Sequence, residues 1–234
     1  MTTTTTPASR PSSSFTAPVW LIFYSLLLVV ALFIGVFVVL RPVVVLPRIT
    51  LAPGFRLTDQ TGAQISNEDL RGSITLYNFT HTGCQADCPQ TSAIMAQVQA
   101  RLDELETGDI PARLVTISID PENDTPEKLA AYAAQVGADP AVWQFVTGSP
   151  VQIKSVVGGG FSTYYTARED GIRFDPAFML VDGAGLLRAE YRTAVPNVDI
   201  ILRDINLLAE EAQNADGPSR LAYEAAHLFL CYPR

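Results

Sequence analysis

No charged residue interrupts the chain from Val19 to Leu40, VWLIFYSLLLVVALFIGVFVVL. As a helix rising about 1.5 Å per residue, this run reaches roughly 33 Å, the thickness of a hydrocarbon core. Trp20 and Tyr24 stand near its leading end, where amphipathic rings favour a membrane interface. A helix apolar on every side at this length rarely belongs in a soluble core. A cleaved signal peptide has a shorter apolar centre followed by a small-residue cleavage site, a pattern not seen after Leu40. Residues 18–41 are therefore expected to form one retained membrane anchor, and the positive mean hydropathy of +0.19 is concentrated there. Residues 1–17, rich in Thr, Ser and Pro, offer no apolar face to bury and are expected to be a disordered tail. Residues 42–54 contain Pro42, Pro47 and Pro53 and read as an extended stalk. The charge bias is at odds with export of the C-terminal part. Arg10 alone precedes the apolar run, whereas Arg41, Arg48 and Arg56 lie after it, an asymmetry that by the positive-inside rule would leave that part in the cytoplasm.

A globular domain is expected over 55–213. FRLTDQTGAQIS reads as a hairpin, SITLYNF as a central strand and RLVTISI as a second one. Helical spacing of Ile94, Val98 and Leu102 marks 89–105. TPEKLAAYAAQVG has Thr125 to cap a helix, Pro126 at its first turn and Gly137 to stop it. VWQFVTG suits a third strand and PVQIKSVVGGG a short helix ending in glycines. Strands at 177–181 and 186–191 turn through Asp182-Gly183-Ala184-Gly185. NVDIILRDINLLAEEA is an amphipathic helix with Ile200, Leu207 and Leu208 inward. Alternating strands and helices, closed by a hairpin and a helix, give an α/β fold with a mixed sheet between helices. The tail, 214–234, suits a short amphipathic helix with Leu221, Ala225 and Leu228 on one side, docked on the domain or on the membrane surface. A net charge of −8 leaves no basic surface for nucleic acid.

Chemistry concentrates in LYNFTHTGCQADCPQTSAIM, where Cys84 and Cys88 are spaced C-x3-C at a strand-to-helix junction. If a helix starts near Cys84, both sulfurs lie on one face near its N-terminus, which favours thiolates and suits Cu(I). If the backbone there is not a regular helix, the pair can close as a disulfide. Inert packing is the bland alternative, since cysteine is commonly buried. His81-x2-Cys84-x3-Cys88 lacks the second half-site of a zinc centre. The acidic run DPENDTPE lacks the glycine and ligand spacing of a calcium loop and reads as helix capping.

The segments NFTHTGCQADCP, VTISIDPENDTPEKLAAYAAQVG and AFMLVDGAGLL resemble the Sco/SenC family over about 52–212. That resemblance implies a thioredoxin-like domain outside the cytoplasm on one membrane anchor. It also implies copper or thiol handling in maturation of the CuA centre of cytochrome c oxidase. The partners implied are a membrane and the copper-bearing oxidase subunit or another thiol/disulfide protein. Such work is a metallochaperone's more than an enzyme's, and a thiol–disulfide oxidoreductase's if catalytic. An exported, oxidising location is then expected despite the arginine count.

Family copper sites use both cysteines and a histidine just before the hairpin strand, a position that here is Phe174. The chain's two histidines are His81 and His227. Candidates for a third ligand beside Cys84 and Cys88 are His81 and, less suited to Cu(I), Asp175. Pro176 in PAFMLVD also resembles the cis-proline that faces the cysteines of TlpA/ResA-type reductases, and equally suits a proline that merely starts a strand. Two alternatives stay open beside copper carriage: a redox dithiol cycling without metal, and a tethered binding module whose cysteines do no chemistry. His227 and Cys231 in the tail form a second pair of soft side chains, whose sharper reading is a ligand supplied by the tail.

Overall fold

The computed structural model describes residues 19–40, 44–84, 90–168, 171–216 and 219–229. Two compact units divide at Pro42. The first holds helix α1, Val19–Leu40, with none of its apolar window buried. It is long and apolar enough to cross a membrane.

In the second unit the chain runs β1 (Thr50–Leu51), β2 (Arg56–Asp59), β3 (Gln64–Ser66), β4 (Ile74–Thr80), α2 (Thr91–Gln99), β5 (Ala112–Ser118), α3 (Pro126–Gln135) and β6 (Trp143–Thr147). Next come α4 (Pro150–Ile153), continuing as one wide turn of π-helix to Gly160, then β7 (Tyr165–Arg168), β8 (Gly171–Phe174), β9 (Phe178–Val181), β10 (Leu186–Tyr191), α5 (Val198–Gln213) and α6 (Ser219–Phe229). Eight strands form one sheet in the order β1-β10-β9-β4-β5-β6-β2-β3, and β7 and β8 form a separate ribbon. β4 pairs parallel with β5, and β5 with β6; the other pairs are antiparallel. This is the mixed α/β sheet expected from the alternating pattern.

β4 and β5 are buried on both faces because their side chains alternate between two cores. Ile74, Leu76 and Leu114 point to the side of α2, α3 and α5, packing with Met95, Leu129 and Ile205. Tyr77, Phe79, Val115 and Ile117 point to the other side, among Phe161, Ile153 and Phe174. Along α5, Ile201, Leu202, Ile205 and Leu208 are buried, while Ile200 and Leu207 pack at the margin.

Three features of the structure add to or correct the sequence reading. The segment read as a free stalk is extended but belongs to the domain: Val45 and Leu46 are buried and β1 pairs with β10. The Arg188 guanidinium holds it by donating to the Leu46 and Pro47 carbonyls. The ribbon of β7 and β8 has no counterpart in the sequence reading. Among the described residues α2 begins at Thr91 and Cys84 stands in a turn, the non-helical alternative of the sequence reading.

Candidate functional site

The carboxyl ends of β4 and β5 meet at one edge of the sheet, and the chain leaves each through a loop. After Thr80, which accepts from the Ile119 N–H at 2.9 Å, the chain turns so that the Cys84 N–H donates to the His81 carbonyl at 3.1 Å. Cys84 is half-buried, rests against the second apolar core and is disulfide-bonded. Cys88, Pro89 and Cys231 lie outside the described residues.

His81 is 7% exposed. Its ring meets Phe174 edge-on at 6.3 Å and lies over Gly83, where an added Cβ would sit 3.3 Å from Nδ1. Burial pushes its pKa below the ordinary histidine value, opposed by the negative charges of Asp124 and Asp120. Pairing of Asn78 with Phe178 brings residues 174–177 to this same edge. There Asp175 is exposed, its N–H donating to the Tyr164 carbonyl at 3.0 Å. The cis-proline expectation is corrected: no cis peptide bond occurs among the described residues, so the bond before Pro176 is trans. Pro176 leads into β9 next to buried Ala177, and a proline that only starts a strand needs no cis geometry.

His227 is elsewhere. Its Nε2 lies 2.8 Å from Glu211, which also pairs with Arg188 near the start of β10. Leu187 faces Val181, and Val181 faces Thr75 at the first turn of β4. His227 is therefore at the opposite edge, separated by the length of β4, about 20 Å at 3.3 Å per residue. The tail's histidine does not complete the cysteine site. A cavity of about 290 Å³ between Leu51, Arg71, Tyr77 and Gly185 also opens at that far edge.

The reading of DPENDTPE as capping holds for Thr125, whose hydroxyl accepts from the Lys128 N–H. It misses Asp124. This carboxylate, 1% exposed, accepts from the Thr82 N–H at 3.0 Å, the Thr82 hydroxyl at 2.5 Å and the Ser118 hydroxyl at 2.5 Å. It thereby ties the loop after β5 to the turn that presents Cys84. At the other end of the cysteine segment, Asn78 on β4 donates to the Thr91 hydroxyl at 3.1 Å, and that hydroxyl donates to the Phe79 carbonyl at 3.1 Å. The first turn of α2 is thus fixed to β4.

A family model described as SCO1/SenC matches residues 46–210, well over half of the 234-residue chain. The chain belongs to the SCO1/SenC family. Among its relatives, the SCO1 protein homolog of Bacillus subtilis is 31% identical over 152 residues, covering 63% of this chain and 77% of that one. A Stutzerimonas stutzeri protein named as a candidate copper-binding protein is 36% identical over 90 residues, 38% of this chain and 43% of its own length. Among solved structures, BsSco superposes with a TM-score of 0.63 at 29% identity, covering 71% of this chain and 98% of its own. BsSco is a member of the Sco family of cytochrome c oxidase assembly proteins in which a disulfide switch has been identified. Against these Sco proteins the fold here is thioredoxin-like, and its turn carries Cys84 where the parallel strands end.

Proposed function

We propose that this Sco protein binds Cu(I) between the thiolates of Cys84 and Cys88 and delivers it during maturation of the CuA centre of cytochrome c oxidase. The observation that carries the reading is the placing of Cys84: a half-buried sulfur at the mouth of the parallel strands, three residues beyond the buried imidazole of His81. The donor set fits a soft monovalent ion. Two thiolates bring two negative charges, so Cu(I) leaves the site singly negative, and a neutral imidazole adds a ligand without adding charge. Of the two candidates for that third place, His81 is favoured over Asp175. Its ring lies over the cysteine turn, and a carboxylate is a hard donor.

A second reading rests on the disulfide at Cys84. In its dithiol form the pair attacks a target disulfide. One thiolate displaces a target thiolate and forms a mixed disulfide; its mate then closes on the first sulfur and frees the second target thiolate. Two electrons and two protons pass to the target, and a dithiol reductant must restore the pair. Copper carriage leads because a soft imidazole lies over the turn that carries Cys84. The module without chemistry is disfavoured by the partial exposure of Cys84.

Anaerobic titration of the reduced domain against a chromophoric Cu(I) chelator tests the proposal. One copper per wild-type molecule is expected, lost in Cys84→Ala and in Cys88→Ala. Equal uptake by all three proteins would end it. Turnover of a disulfide substrate by the reduced wild type, with no copper uptake, would move the assignment to the second reading.

A further inference from the structure

We infer that Asp124 is a positioning residue for Cys84. Through Thr82 it clamps the cysteine turn to the loop after β5, and so sets both the stability of the disulfide and the tightness of the Cu(I) site. The inference rests on reading Cys84 and Cys88 as the working pair, and it concerns groups that bear no ligand atom themselves.

The geometry is specific. Asp124 comes from a segment 42 residues from Thr82, yet receives both of its donors, the N–H at 3.0 Å and the hydroxyl at 2.5 Å. Two bonds from one residue to one carboxylate fix the turn in orientation as well as position. Asp124 is itself held: the Ser118 hydroxyl donates to its carboxylate at 2.5 Å, and its backbone N–H donates to the Asp120 carbonyl at 2.8 Å. Ser118 closes β5, which pairs parallel with β4, so the anchor is part of the sheet and not of a free loop. A polar group in such a buried place is retained only with its partners satisfied, and here two of the carboxylate's three donors lie on the cysteine turn.

The turn from His81 to Cys84 spans a single hydrogen bond, so Thr82 sits inside it. Holding Thr82 therefore holds the backbone from which the Cys84 sulfur projects. Closing a disulfide and closing a two-sulfur chelate both depend on how often the sulfurs meet in the right geometry. A clamp on one partner raises that frequency for both. Its release lowers both, with the reduction potential moving up and the Cu(I) affinity moving down together.

The test uses four single substitutions in the full chain. Thr82→Val keeps the shape of the side chain and the N–H but removes the hydroxyl. Thr82→Ser restores the hydroxyl. Asp124→Asn places an amide where the donors converge. Glu211→Gln removes a charged partner of Arg188 at the opposite edge and touches neither Asp124 nor the cysteine turn. The readouts are the disulfide's equilibrium with glutathione, followed by thiol alkylation, and Cu(I) affinity by chelator competition. For Thr82→Val and Asp124→Asn we expect about a tenfold shift of the thiol–disulfide equilibrium toward the dithiol, about 30 mV for a two-electron couple. A 10- to 100-fold loss of Cu(I) affinity should accompany it, the range for groups that orient ligands. Thr82→Ser should match the wild type. Glu211→Gln should unfold at lower denaturant with both site properties within about twofold of wild type. A wild-type potential in folded Thr82→Val overturns the clamp. So does a Glu211→Gln shift as large as that of Thr82→Val, because general loosening then accounts for it. If Thr82→Val does not fold, Asp124→Asn decides by the same readouts. The potential needs no copper. A wild type that takes up no Cu(I), with Thr82→Val still shifted in potential, would sink the copper reading and leave the clamp standing.

Discussion

At the scale of single residues, the site's support is a chain of buried polar groups rather than apolar contact. Trp143 Nε1 donates to the Thr116 hydroxyl at 2.8 Å, and that hydroxyl donates to Asn78 Oδ1 at 2.6 Å. Asn78 continues to Thr91 at the start of α2. Each hydroxyl gives one bond and takes one, so removing a member strands its neighbours. Thr116→Val keeps volume but leaves an indole N–H and an amide oxygen buried without that partner. A loss of about 2–4 kcal/mol is expected in urea denaturation, from two orphaned groups at about 1–2 kcal/mol each. A loss under about 0.5 kcal/mol would show that the chain is not a support. For the ligand set, His81→Phe is expected to lower Cu(I) affinity at least about tenfold while leaving the disulfide equilibrium near wild type. An unchanged affinity would remove His81 from the ligands. The nearness of His81 to Cys84 was legible from spacing alone, because residues three apart share a turn. Asp124 was not. Its role depends on parallel pairing of β4 with β5, which sets residues 42 apart side by side, and no local pattern encodes that.

At the scale of elements, what the chain revealed depended on whether an element owes its form to its own pattern. α5 carries apolar residues at helical spacing and an Asn197 cap that accepts from the Asp199 N–H, so it was readable. α6 is a helix as expected, but its packed face was misread: Tyr223 and Ala226 are buried, while Leu221 and Leu228, expected on the apolar side, are exposed. β1 is two residues long and exists through its pairing with β10; the ribbon of β7 and β8 pairs Tyr165 with Phe174. Neither has enough alternation to announce itself. Glu211 joins three elements, accepting from Arg188 on β10 at 2.7 Å and lying 2.8 Å from His227 on α6. Burial pushes its pKa up, but the hydrogen bonds and charges of Arg188 and His227 outweigh this and hold the carboxyl below its ordinary value of 4.5. A depressed carboxyl contributes stability that is fully present above about pH 4.5 and is lost as pH falls through the depressed value. Glu211→Gln should therefore cost about 1–3 kcal/mol at pH 7, where it leaves buried Arg188 short of one charged partner. The gap between variant and wild type should narrow as pH falls below about 4.5. Denaturation midpoints from pH 7 to pH 3 check this, and a gap constant across that range would show that the carboxylate's charge is not what the network uses.

At the scale of the whole molecule, the alternation of strands and helices was enough to read a mixed sheet between helices, since each apolar stripe has few ways to be covered. Orientation across a membrane is a different matter, because two sequence signals conflict. Arg41, Arg48 and Arg56 lie after α1 and only Arg10 precedes it, which favours a cytoplasmic domain. The disulfide at Cys84 points the other way, because cytoplasmic thiols are kept reduced. We expect the domain to lie outside the cytoplasmic membrane. An alkaline phosphatase fused after Arg234 needs an oxidising compartment to become active, so it should be active in cells, while a reporter that matures only in the cytoplasm should be silent at the same junction. The two reporters give opposite answers for the two orientations. Activity of the cytoplasmic reporter alone would place the cysteines among reductants, where neither a standing disulfide nor export of copper to an oxidase could be their work.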